Sequence, residues 1–326
     1  MAVQPKQGHL CFPNQSIVMN VSWSSFTNAP LRSLYTTFTD KIESHLHILQ
    51  YVVQSDSIVR TTCPKVLDLP FTPTSAHFSP KPPTTNDLFV TSGDSLRIFS
   101  LSQSNDVSLI GQLNDNNYPL PSCGFDWCNQ NPEMLCSWYL DNSCTIWNIE
   151  KKQIQTQHQS QNQIFDLKFC PNSPFVYGVA SEKGLLELRD TRKERSDMLL
   201  YQTNDAPDLM KLSWSSVDPY RIATFSEYGD RVVVMDTRKP YEPMTQLKIA
   251  QNTVSCIDWS SASANELCIG TSDRKVMVWV IKPTNQNENS LLEFSADGEV
   301  NDVCWSKTHT EWICAAMGNS VHYLHV

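Results

Sequence analysis

Two short stretches carry the residue types best suited to gripping another molecule. Asp190-Thr191-Arg192 and Asp236-Thr237-Arg238 repeat one Asp-x-Arg pattern, each closing a run of aliphatic or β-branched residues. A guanidinium just past a strand end reaches a carboxylate or backbone carbonyl on a partner, and its planar fork sets orientation as well as charge. The same pattern also caps a turn within its own chain, and the residues alone leave both roles open. A second candidate is Trp138-Tyr139, which follows Ser137 and precedes the turn at Asp141. Trp and Tyr are enriched where interfaces concentrate their binding energy. The candidate protein-interface residues are therefore Asp190, Arg192, Asp236, Arg238, Trp138 and Tyr139.

Other chemistries find little to work with. His45 and His47 share one face of a strand, since side chains alternate with period two, but two histidines are half a zinc site. They read more simply as an exposed or hydrogen-bonded pair. Cys123 and Cys128 are too far apart for a Cys-x-x-Cys metal pair. There is no Gly-x-Ser-x-Gly elbow, and the ten glycines form no phosphate-cradling loop. No catalytic, cofactor-binding or metal-ligating residue is expected.

These residues sit in a chain of 326 residues, 40% hydrophobic and 18% charged, the balance of a soluble globular protein. A net charge of −9 repels a phosphate backbone, so direct nucleic-acid binding is not expected. The densest basic cluster, Arg189, Arg192, Lys193 and Arg195, is interrupted by acids. Eleven irregularly spaced cysteines and a polar Met1–Leu10 segment without an apolar run point to reduced thiols and no secretory signal. No stretch is apolar for the length of a membrane helix. The expectation is a protein of the nucleus and cytoplasm, away from membranes.

The elements that position the candidates emerge from an internal repeat. Short apolar runs end in an aromatic anchor at Trp23, Phe78, Trp127, Phe169, Trp214, Trp259 and Trp305, spaced roughly 42 to 55 residues apart. A second marker closes a later β-branched or aliphatic run: Ile48-Leu49, Phe99-Ser100, Trp147-Asn148, Arg189-Asp190, Met235-Asp236, Trp279-Val280 and Tyr323-Leu324, spaced roughly 42 to 51 residues apart. Both periods lie close to the ~40–45 residues of a four-stranded propeller blade. Val232-Val233-Val234 and Val276-Met277-Val278-Trp279 have strand composition, with turns such as Tyr228-Gly229-Asp230 and Ser272-Asp273 before them. The pattern predicts an all-β, seven-bladed WD40 β-propeller spanning 1–326 as one domain.

Leu10-Cys11-Phe12 is expected to close the ring by joining the last blade, with Tyr323–Val326 as that blade's third strand. Ser102–Asn117 and Lys282–Ser290, rich in Asn, Gln and Ser, read as surface loops, and Pro80–Pro83 as a rigid turn. The repeat has lost much of its polar signature. Ser160 and Ala250 stand where a buried histidine is expected. Acids recur just before four anchors, at Asp126, Asp166, Asp258 and Asp302. The ring is expected to depend mainly on packing of Trp, Ile and Val.

Several stretches go beyond a generic repeat: Phe125-Asp126-Trp127, Thr145-Ile146-Trp147-Asn148-Ile149-Glu150, Phe89–Arg97, Gly298-Glu299-Val300-Asn301 with Trp305, Glu311-Trp312-Ile313 and Leu324-His325-Val326. Together they resemble the plant Transparent Testa Glabra and anthocyanin-regulating WD40 proteins. The animal relatives of that family are cullin-4-associated factors and scaffolds for Dyrk-type kinases. The resemblance runs from about Trp23 to Val326. It implies a non-catalytic scaffold, a monomer within a larger complex, whose partners are a protein kinase, transcription factors or the cullin-4 adaptor. Cullin-4 receptors carry a box ending in Asp-x-Arg, so the alternative is a substrate receptor of that ubiquitin ligase. A catalytic propeller is the remote third reading.

Overall fold

The computed structural model describes residues 10–26, 31–39, 44–54, 57–60, 65–81, 86–113, 120–193, 197–203, 207–249, 253–281 and 290–326. Their strands form seven antiparallel sheets, each made largely of consecutive strands, and neighbouring sheets meet along their first strands. The fold is a seven-bladed β-propeller, as the repeat predicts.

Every aromatic anchor is the last residue of its blade's inner strand. These strands are Ile17–Trp23, Ser75–Phe78, Ser122–Trp127, Ile164–Phe169, Leu209–Trp214, Val254–Trp259 and Val300–Trp305. Each indole or phenyl ring therefore marks where the chain leaves the channel wall. The packing follows the seams. Seven apolar clusters of buried residues are each shared by two neighbouring blades, for example Met235 and Trp214 with Leu186 and Leu200 between blades 4 and 5. Side chains on both faces of the second strands are buried in these seams, as at Trp312–Met317. Such strands read as continuous apolar runs, without the alternation of a half-exposed sheet.

Leu10–Pro13 completes blade 7 by pairing with its third strand, Ser320–His325, in the register Leu10↔Tyr323 to Pro13↔Ser320. This is the ring closure the sequence suggests. Blade 1 departs from the others. Its third strand, Ser44–Gln54, is 11 residues long, and both Ser57–Arg60 and Lys65–Leu69 pair with it.

The expected loop at Ser102–Asn117 needs correction. Its start is a turn, Val107–Leu113 is the outer strand of blade 2, and 114–117 lie outside the described residues. Outer strands have one blade neighbour and face solvent broadly, so a polar, exposed sequence suffices there. Ser290 likewise begins the outer strand Ser290–Ser295 of blade 6, while 282–289 lie outside the described residues, as do 82–83 and Ala250. The tight turns between second and third strands also differ in detail. Positive φ falls on Asn142, but on Tyr228 and Arg274 rather than on the Gly and Asp beside them.

In six inner strands the ladder steps just before the third residue ahead of the anchor, as at Ile164/Asp166 and Val300/Asp302. A bulge re-aims the side chains that follow it. Here it turns alternate residues toward the central channel, where four acids bridge the blades. Val21 N donates to Asp302 Oδ2 at 3.1 Å, Phe169 N to Asp126 Oδ2 at 2.8 Å, Leu212 N to Asp166 Oδ2 at 2.9 Å and Trp305 N to Asp258 Oδ2 at 2.7 Å. The recurring acids thus tie four of the seven seams by charge-assisted hydrogen bonds to the next blade's backbone.

Candidate protein-interaction surface

The two Asp-x-Arg stretches fold into matching clamps on neighbouring blades. In blade 4 the third strand Leu185–Asp190 ends at the acid, and Arg192 turns back onto it. Arg192 Nε donates to Asp190 Oδ1 at 2.9 Å and Nη2 to Oδ2 at 2.6 Å, while the Arg192 amide donates to Oδ1 at 3.0 Å. Blade 5 repeats this after Arg231–Asp236: Arg238 Nε to Asp236 Oδ1 at 2.9 Å, Nη2 to Oδ2 at 2.7 Å and the amide to Oδ1 at 2.9 Å. Each guanidinium also lies over an aromatic ring, Arg192 over Phe175 at 5.1 Å and Arg238 over Tyr220 at 4.4 Å. Thr191 N donates to Phe175 O and Thr237 N to Tyr220 O, each at 2.8 Å, so the strand end and the aromatic turn are fastened together.

The geometry shows the turn-capping role of the pattern. The carboxylate caps the turn, and the cation it holds stays in water, with Arg192 and Arg238 side chains 60% and 59% exposed. Among the described residues, Nη1 of neither arginine has a hydrogen-bond partner. Each clamp therefore presents a pre-oriented donor pair beside an exposed aromatic face. The Arg192 hydrogen bonds pull Asp190 down to a pKa of about 2, and Arg238 lowers Asp236 in the same way, so the clamps stay charged through the physiological range. Lys193 and Lys239 follow each arginine, and Val217, Tyr220 and Tyr241 add exposed apolar surface on blade 5. The result is a basic and aromatic patch on an acidic molecule.

Trp138 lies elsewhere. It is 4% exposed, packed in the seam between blades 3 and 4, with its ring over Gly124. Its rim lines the central channel, a cavity of about 650 Å³, and does not reach the outer surface. Tyr139 is half-buried and its hydroxyl accepts from Ser137 Oγ at 3.0 Å. The structure pairs the four Asp-x-Arg residues as two equivalent clamps on neighbouring blades and leaves the Trp138-Tyr139 pair apart from them. His45 pairs with Asp68 at 2.8 Å, and His47 stacks on Tyr35. Burial and the neighbouring His45 lower His47 to about 4, so it is neutral at pH 7.

Sequence reading alone missed Phe175 and Tyr220. A signal exists: each stands six residues after its blade's anchor, where blades 3, 6 and 7 carry Glu133, Asn265 and Glu311. It named Arg189 in the repeat marker and the basic cluster but gave it no role; Arg189 stands at the strand-end position that Trp147 and Trp279 occupy in blades 3 and 6. Arg189 donates through Nη2 to Ser160 Oγ at 3.1 Å and to Glu187 Oε2 at 3.0 Å. Ser160, at the expected histidine position, thus serves an arginine instead.

No family model matches the chain. It is 27% identical over 316 residues to a DDB1- and CUL4-associated factor 7 homolog of Dictyostelium discoideum, covering 95% of this chain and 96% of that protein. A WD repeat-containing protein of Schizosaccharomyces pombe is 27% identical over 55% of this chain, and one of Saccharomyces cerevisiae 23% identical over 55%. The chain spans less than half of either yeast protein, 45% and 36%. The chain is thus similar to WD-repeat proteins, in sequence and in its seven-bladed ring. The repeat explains why the clamps are so alike: each follows the third strand of its blade, and blades 4 and 5 carry the same Asp-Thr-Arg there.

Proposed function

We propose that the chain is a non-catalytic protein-interaction scaffold that docks a partner on the twin clamps of blades 4 and 5. The duplicated clamp carries this reading. Two guanidiniums are held in place by carboxylate and aromatic contacts, with donors left over and apolar residues beside them. Pre-organisation lowers the ordering cost of binding, and Arg with Tyr is the composition of binding hot spots. A partner that fits offers carboxylates or backbone carbonyls flanked by apolar side chains. The test is affinity purification of the full chain and of the Arg192→Ala/Arg238→Ala double variant. The double variant is expected to stay folded and lose its main partner. An unchanged partner set would overturn the reading.

A second reading, substrate receptor of a cullin-4 ubiquitin ligase, is favoured by the Asp-x-Arg ends together with the Dictyostelium relative, whose name ties that protein to DDB1 and CUL4. Capture of the ligase adaptor by the wild type, lost in the double variant, supports it. Capture of a protein kinase or of transcription factors supports the broader scaffold. Placement in both nucleus and cytoplasm belongs to the same proposal, and fractionation with an antibody to the chain tests it.

A further inference from the structure

A second polar cavity opens beside the blade 4 clamp. It holds about 200 Å³, and its lining includes His158 of blade 3 and Tyr177, Arg189, Asp190, Lys193 and Asp197 of blade 4. Arg189 is only 6% exposed. Its Nη2 is engaged by Ser160 and Glu187. Its Nε is not: it lies 3.2 Å from Asp197 Oδ1 without making an aligned hydrogen bond. His158 Nε2 also has no hydrogen-bond partner among the described residues. The Asp197 side chain is 59% exposed and immediately precedes the outer strand Met198–Gln202 of blade 4. A buried cation therefore faces a polar cavity under a poorly seated carboxylate.

The surrounding charges favour an anion there. Arg192 holds Asp190, and Arg189 Nη2 holds Glu187. Lys193 adds an ammonium. Burial and the field of Arg189 keep His158 below its ordinary pKa, so it enters as a neutral imidazole able to donate from one nitrogen. A guanidinium edge, an ammonium and an imidazole are three separate donors, matched to three phosphate oxygens better than to the two of a carboxylate. Blade 5 lacks this arrangement. Its Asp-Thr-Arg-Lys turn follows Met235, which is fully buried in an apolar seam.

We propose that this cavity binds a phosphorylated serine or threonine side chain of a partner polypeptide, with Arg189, Lys193 and His158 taking the phosphate and Asp197 displaced. The site shares the blade 4 turn, and Arg192's hold on Asp190, with the docking surface, but it does not need Arg238. Two clamps of like geometry then differ in function: both grip, and only blade 4 senses phosphorylation.

Isothermal titration of the full chain with O-phospho-L-serine, with L-glutamate for comparison, tests this. Phosphoserine is expected to bind saturably and glutamate at least about tenfold more weakly. Arg189→Met, which installs the residue blade 5 carries at that point, is expected to abolish binding with the fold intact by circular dichroism. Asp197→Asn is expected to tighten binding roughly tenfold by removing the resident carboxylate. Arg238→Ala, which leaves the blade 4 turn intact, is expected to bind phosphoserine as the wild type does, whatever it does to partner capture. The proposal fails if phosphoserine does not saturate, if glutamate matches it, or if folded Arg189→Met still binds. Should Arg189→Met not fold, an unaltered affinity in Asp197→Asn is enough to overturn it.

Discussion

Gly124 offers a sharp test of how the blades pack. A Cβ added there would lie 2.4 Å from Trp138 Cζ2 and 2.7 Å from Cη2. The indole cannot easily yield, because Trp138 is packed with Ile146, Leu167 and Tyr177 in the seam between blades 3 and 4. Gly124→Ala is therefore an overpacking change and is expected to cost about 2 kcal/mol. With ~2.1 cal/mol/K of unfolding entropy per residue, that lowers the melting temperature by about 3 °C for a chain of 326 residues. Trp138→Phe removes the clashing ring. Nε1 has no partner among the described residues, so this change sacrifices packing and no hydrogen bond, about 1–2 kcal/mol. The double variant is then expected to be no less stable than Trp138→Phe alone, a coupling of about 2 kcal/mol. Urea unfolding of the four proteins, followed by circular dichroism, closes the cycle. Additive losses, or a Gly124→Ala cost under about 0.5 kcal/mol, would refute the idea that the glycine exists to seat the indole.

Asp302→Ala strands the buried Val21 amide and is expected to destabilise the protein by about 1–3 kcal/mol, read by the same unfolding curves. Burial raises Asp258 to about 6 from an ordinary 3.8, so the folded state favours its protonated form. Its contribution to stability is full below pH 4 and fades as the pH rises through 6, so Asp258→Asn should gain on the wild type between pH 4.5 and pH 7.5; a difference that stays flat or shrinks over that range would contradict the assignment. Deleting residues 1–13 leaves the edge of Ser320–His325 unpaired and is expected to lower the melting temperature and promote association, seen by light scattering.

The inner strands were legible because a large aromatic must fill each seam at one fixed point, and all seven anchors end their strands. Val107–Leu113 was not, since an outer strand faces water and needs no apolar pattern. The four recurring acids were visible in the sequence, but their use was not: each accepts from the next blade, a relation that exists only once the ring is closed. The same holds at the candidate surface. Arg192 and Arg238 stand out by repetition, whereas Phe175 and Tyr220 come from the preceding turn and meet them only through the fold. Trp138 was singled out for its neighbours in sequence, yet the glycine across the strand pair draws it inward.

Leu10–Pro13 pairs with the last strand, and Cys11 and His322, side by side in that ladder, are 311 residues apart. During synthesis the strand that must close blade 7 is made before the other strands of the ring and waits for all of them. Blades 1 to 6 can each form from consecutive strands as they emerge, but blade 7 is completed only when its last three strands reach one made long before. Joining ends so distant costs roughly 5 kcal/mol of chain entropy, from (3/2)RT ln n. Until then the walls of the last seam, Trp23 and Tyr51 on one side and Trp312 and Tyr323 on the other, have no opposite face. The newborn protein is an open arc with sticky ends, and its passage to a ring is the moment when it most needs protection from its own copies.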